Sequence, residues 1–177
     1  MPTKRLLHTL MLGPAAVLLT QAAQTEPAIY QDDILSIAVG AVISQEGNVY
    51  YGDIQLSRSS DGRFTITAAS ERPLVNIDSV DVQIMESFPV QVSLAIAGSK
   101  SVPCVDLEEA AVVRQGNAFT VVMAETVLGP AESCIAVIDP FEATLSLDVA
   151  GLAADTYTVD VNGVETEFTL DLDNTGL

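Results

Sequence analysis

Two cysteines, one histidine and a large excess of carboxylates are the residues of this 177-residue chain that could do chemistry. The histidine is His8, which sits in an apolar run near the N-terminus, and no imidazole follows it. Once that run is removed, a serine or cysteine nucleophile has no histidine base, and zinc or copper has no histidine ligand. Cys104 and Cys134 lie too far apart for a redox Cys-x-x-Cys motif. In an exported chain the default is that they pair, closing a loop of about 30 residues for roughly 3 to 4 kcal/mol in the chain-entropy account. A free, reactive thiol pair is the alternative.

The carboxylates offer two further chemistries. A pair at a suitable separation can cleave glycosides, and Glu108-Glu109, Glu165 with Glu167, and Asp171 with Asp173 are the conspicuous groupings. The last two alternate with apolar residues, which places them on a solvated strand face rather than in a pocket that separates their pKa values. No catalytic residue is assigned on this basis, and the chain reads as a non-enzyme. Calcium fits the residues better: Asp171, Asp173 and Thr175, with Gly176 after them, match the opening of a calcium loop, with oxygen ligands at alternate positions and then glycine. The bidentate glutamate that completes such a loop is missing, so these residues form a weak calcium candidate at the end of a frayed acidic tail. No other cofactor is expected.

The elements that would position these groups follow from patterning. Lys4 and Arg5, the apolar run Leu6 to Leu19 and the small residues Ala22 and Ala23 read as a signal peptide over residues 1–23. The run is shorter than the roughly 20 residues a spanning helix needs and contains Pro14. Removing it leaves five positive residues, Arg58, Arg63, Arg72, Lys100 and Arg114, against 24 acidic ones, a net charge of −19. A field of that sign disfavours nucleic acid and anionic membrane surfaces, and no second run of spanning length predicts membrane insertion after cleavage. Residues 24–33 read as a linker.

Beyond it, short alternating runs dominate. Val90, Val92, Leu94 and Ile96 face one way and Gln91, Ser93, Ala95 and Ala97 the other; Leu145 to Val149, Tyr157 to Val161 and Phe168 to Leu172 repeat the pattern. Turn residues separate the runs, and no stretch has a helical period, so the chain is all-β. Asn162-Gly163 between Val161 and Val164 is a type I′ hairpin signal, because both central positions need positive φ. Asp61-Gly62 predicts a second two-residue hairpin. Tyr157 opens a strand shortly after Leu152, the spacing of a tyrosine corner in immunoglobulin-like sandwiches. A half-buried strand aromatic is its plainer reading. Tyr50 and Tyr51 alternate, so one is expected inside and one outside, and Lys100 and Arg114 are expected to pair with carboxylates.

From about Ile77 to Leu172, the segments MESFPVQVSLAIAG, PCVDL, RQGNAFTVVM, ESCIAVIDPFEATLSLDVAGL and TYTVDVNGVETEFTLDL resemble a recurring module of exported bacterial proteins. In that module a Ser-Phe-Pro-Val strand leads to a cysteine, a second cysteine precedes Pro-Phe-Glu, and a Tyr-x-Val-x-Val-Asn-Gly hairpin ends the domain. Asp155 stands where the module usually has glycine. The resemblance implies a fold and an address and no particular activity.

The resulting expectation is an immunoglobulin-like antiparallel β-sandwich over residues 73–177, with a short acidic tail, preceded by a signal peptide and by an additional β segment over residues 34–72. It is expected in the secreted, periplasmic or cell-envelope space, acting by surface recognition on a protein or cell-surface partner. The alternatives are a structural or accessory envelope protein without a ligand of its own, and a calcium-dependent adhesion module.

Overall fold

A computed structural model describes residues 27–175; the expected signal peptide, residues 1–23, and the first part of the expected linker lie outside the described residues, as does Gly176. Eleven strands and no helix make up the described chain: β1 (Ile29–Gln31), β2 (Ile34–Val42), β3 (Val49–Arg58), β4 (Phe64–Arg72), β5 (Asn76–Met85), β6 (Gln91–Lys100), β7 (Ala111–Gln115), β8 (Ala118–Val122), β9 (Asp139–Leu147), β10 (Asp155–Val161) and β11 (Val164–Leu170). They form three sheets, ordered β1-β2-β3-β4, β5-β6-β9 and β11-β10-β8-β7.

The last two sheets face each other as a β-sandwich. Alternation puts Val92, Leu94 and Ile96 of β6 and Leu145 and Leu147 of β9 on one inner face. Phe119 and Val121 of β8, Tyr157, Val159 and Val161 of β10, and Phe168 and Leu170 of β11 form the other; all are buried in one cluster. Phe119, Tyr157 and Phe168 meet with ring centroids 5.3 to 6.1 Å apart, close enough for aromatic contacts to add to simple burial. Gly98 in β6 is required by close approach: a Cβ there would run into the carbonyl oxygen of Asn76 and meet the Phe141 ring at 2.9 Å. β10 pairs antiparallel with β11 and parallel with β8, so the sheet is mixed.

The additional β segment is a sheet of its own. Tyr50, fully buried, packs with Val39, Ala41 and Ile43 against Ala111, Val122 and Ala124, on the outward side of β7 and β8. This explains the nearly continuous apolar run Val121 to Ala124: Val121 faces the sandwich core and Val122 faces the first sheet. Two expectations change here. Part of the supposed linker is strand β1, paired with β2 as Tyr30 opposite Leu35. The loop at Asp61-Gly62 is not a two-residue hairpin but runs over Ser59–Arg63, between the end of β3 and the start of β4. The Ser59 hydroxyl and amide fix it through Asp61 and the carbonyl of Arg63, so local side-chain bonding outweighs the Asp-Gly turn preference.

Candidate functional site

Two irregular segments, residues 101–110 and 123–138, meet at one end of the sandwich. The Cys104–Cys134 disulfide joins them, with the Cα atoms 6.0 Å apart. The base of this loop pair is laced by backbone and side-chain bonds. Thr126 N donates to the Asp106 carbonyl at 2.9 Å, and Asp106 N donates to Thr126 Oγ1 at 3.0 Å. Glu108 N donates to Ala124 O. The buried carboxylate of Glu125 accepts from both the backbone N and the hydroxyl of Ser101, so its burial is offset by hydrogen bonds. Lys100 Nζ donates to the Val105 carbonyl at 2.6 Å and pairs with Asp139 at 3.0 Å, as its sequence position predicted. Arg114 departs from the same prediction: its Nη1 donates to the Gly116 carbonyl instead of a carboxylate.

Above that base the loop carries apolar side chains in water. Val127, Ile135, Val137 and Ile138 are 57%, 67%, 57% and 69% exposed. A turn in which Glu132 N bonds Gly129 O and Glu132 Oε2 accepts from Gly129 N sets the bend ahead of Cys134. The following residues up to β9 pair with no strand. Apolar residues held out on an anchored loop mark a contact surface more often than isolated exposed leucines or valines do.

The other residues singled out from sequence lie away from this loop pair. The Tyr157 hydroxyl donates to the Ala153 carbonyl at 2.9 Å while its ring is buried. Asn162 and Gly163 have φ of 48° and 93°, the left-handed values a type I′ turn requires. Asn162 also does something the turn pattern did not foretell. Its Oδ1 accepts from Met123 N, and its Nδ2 donates to the carbonyls of Val75 and Met123. One turn residue thereby ties β10 to the ends of two other segments.

The acidic tail is not frayed at Asn174, which is 1% exposed. Its side chain accepts from Val90 N and donates to the carbonyls of Val90 and Val149, and its backbone bonds Leu152 and Gly151. Of the calcium candidates, Asp173 accepts from Ala154 N at 2.8 Å, and Asp171 and Thr175 are exposed beside it in sequence. Among the described residues no group of three or more His, Cys, Asp or Glu side chains is gathered as a metal site.

One strongly perturbed group, Tyr50, lies where the first sheet packs on β7 and β8. Burial, reinforced by Glu108 and Glu109, pushes the Tyr50 phenol well above its ordinary range. Its hydroxyl donates to the Glu109 carbonyl at 2.7 Å. Arg72 bridges Asp53 at 2.6 Å and Glu108 at 2.8 Å, clamping the first sheet to the segment before β7. A phenol kept neutral and hydrogen-bonded to backbone is a packing device. At the surface, the Asn117 amide and Thr156 N hold the Asp155 carboxyl below its usual range. In the position where the resembling module has glycine, Asp155 therefore helps fasten β10 to the β7–β8 turn.

Comparison of the chain with curated proteins and with solved structures returns no match. A family model described as the ORF11 beta-sandwich domain matches residues 94–170. The matched stretch runs from Leu94 in β6 to Leu170 at the end of β11 and includes both cysteines, the Tyr157 strand and the Asn162-Gly163 hairpin. Over that stretch the chain is similar to this β-sandwich family.

Proposed function

We propose that the mature chain is an exported, non-catalytic module of the secreted, periplasmic or cell-envelope space that acts by surface recognition. The observation carrying this reading is the disulfide-anchored loop: four exposed apolar side chains, Val127, Ile135, Val137 and Ile138, are presented above a base fixed by Lys100, Asp106 and Thr126. Burying them against a partner removes apolar area from water at about 25 cal/mol per Å², while the disulfide and the laced base reduce the entropy lost on ordering the loop. The leader pattern over residues 1–23 and the paired cysteines support export. The immunoglobulin-like character rests on Tyr157, whose hydroxyl reaches back four residues to backbone at the start of its strand.

The test is capture from envelope and secreted fractions by immobilised residues 24–177, beside a variant in which residues 133–138 are scrambled around an unchanged Cys134. Saturable capture that the scrambled loop loses is the expected result. Equal capture by both proteins would overturn recognition through this loop, and no saturable capture by either would favour a structural or accessory envelope role. Calcium-dependent adhesion is tested separately by melting the protein with calcium and with chelator. With the Asp173 carboxylate and the Asn174 amide already committed to the sandwich, no shift is expected; a large rise would make calcium-dependent adhesion the leading reading.

A further inference from the structure

The two sheets of the sandwich have unequal numbers of strands, three against four, and the mismatch is confined to one side. On the opposite side β5 and β11 lie together. On the mismatched side β9 ends one sheet and β7 ends the other. Register fixes which β7 residues face inward: Val112 lies opposite the buried Val121, and Arg114 opposite the buried Phe119. Inward-facing residues of a sandwich are normally covered, yet Val112 is 41% exposed, because no strand beyond β9 lies over it.

The uncovered strip is a cleft of about 350 Å³ whose lining includes Val112, Phe119 and Leu145, with Glu109, Arg114 and Asp148 among its charged residues. Among the described residues none of those three charged side chains makes an ion pair. The free edge of β9 also presents backbone donors and acceptors that no neighbouring strand uses.

We infer that this cleft is a strand-addition site: an extended, basic peptide segment of a partner protein pairs with the β9 edge, covers Val112, and places cationic side chains against Glu109 and Asp148. The inference deepens the surface-recognition reading and rests on it, naming a second contact and the chemistry of what fills it. Strand addition obtains affinity from main-chain hydrogen bonds and specificity from alternate side chains. Two carboxylates against one arginine, in a chain of net charge −17, select a cationic strand over an anionic one. The same net charge opposes a second copy of this chain as the occupant.

The experiment uses the mature full chain and a fluorescein-labelled, end-blocked peptide, Thr-Val-Lys-Val-Lys-Val-Thr, followed by fluorescence anisotropy and amide exchange. The peptide is expected to bind and to slow exchange in β9. Replacing its central valine by proline, or both lysines by glutamate, is expected to weaken binding by about tenfold or more. Val112→Asp, at an exposed position, and Asp148→Asn should each weaken it as well, the second without touching the apolar strip. Absence of binding, or binding indifferent to proline and to both protein variants, would overturn the site. If the 133–138 scramble abolishes capture from envelope fractions while the peptide fails to bind, strand addition falls and loop recognition stands. Peptide binding as expected, with capture indifferent to the scrambled loop, would instead uphold the cleft and overturn recognition through the loop.

Discussion

The sandwich and the first sheet bury their apolar residues in different ways. In the sandwich, the inner faces of β6 and β9 are closed by those of β8, β10 and β11, and the residues between them are nearly all buried. The first sheet has one partner at one end only. Tyr50 and its neighbours rest on Ala111, Val122 and Ala124, whereas Tyr30, Phe64 and Ile66, on the same face farther out, are 49%, 46% and 63% exposed. Pairing on one sheet face puts Tyr30, Leu35, Leu56 and Ile66 in one row, and the rings of Tyr30 and Phe64 meet at 6.1 Å although they belong to opposite edge strands. The sheet therefore curls its apolar face onto itself where no second layer is available. A closed core is self-supporting, and a single docked layer borrows its stability from the layer beneath it.

The sharpest way to break the comparison is a matched pair of truncations. Phe119→Ala in the aromatic cluster is expected to cost about 3–5 kcal/mol and to lower the urea midpoint of the whole chain. Tyr50→Ala removes a side chain just as buried, but the loss of protection should be confined to residues 29–72, with the sandwich transition retained. Equal global loss from both variants would show that the two regions form one cooperative unit.

Reducing Cys104–Cys134 is the next effect in size. It releases a loop of 30 residues, roughly 3 to 4 kcal/mol in the chain-entropy account, so the melting temperature should fall. Strand content by far-UV circular dichroism at room temperature should not change, because the core cluster includes neither cysteine. Collapse of the strand signal on reduction would place the disulfide within what holds the sandwich together.

Asn162→Gly keeps the positive φ of the hairpin and deletes the side-chain bonds to Val75 and Met123. The expected cost is about 1–3 kcal/mol by denaturant unfolding, and a neutral result would reduce Asn162 to a turn former. Smallest is a pH effect at Asp155. Its carboxyl is depressed below the ordinary 3.8 by the Asn117 amide and Thr156 N, so the stabilisation is present above the ordinary value and is lost as pH falls through the lower folded value. In an NMR titration Asn117→Ala should return Asp155 toward 3.8; an unmoved titration would mean the Asn117 contact is not what holds it.

Local patterns made the sandwich strands and its last hairpin legible. Alternation fixed the inner faces of β6, β10 and β11, and Asn-Gly fixed the turn after Val161, because a two-residue loop restricts φ at both positions. The bonds that close the sandwich were not legible, since they join residues without any shared local pattern: Asn174 reaches Val90 across 84 positions, and Asn162 reaches Val75 across 87. An asparagine in a tail or a turn carries no mark of such a partner. The docked first sheet did leave a trace, the unbroken Val121 to Ala124 run, whose lack of alternation is what burial on both faces produces. At the candidate site, sequence supplied the cysteines and the Lys100 ion pair. The exposure of Ile135, Val137 and Ile138 was hidden, because an apolar run ahead of a strand reads as part of the strand.

Native-state amide exchange on residues 24–177 tests most directly the claim of a self-supporting sandwich that carries a docked sheet and an anchored loop. The account predicts slowest exchange in β6, β8, β10 and β11, limited by global unfolding, faster exchange in β4, and little protection over residues 133–138. Protection of β4 equal to that of β10, or a protected 133–138 segment, would contradict it.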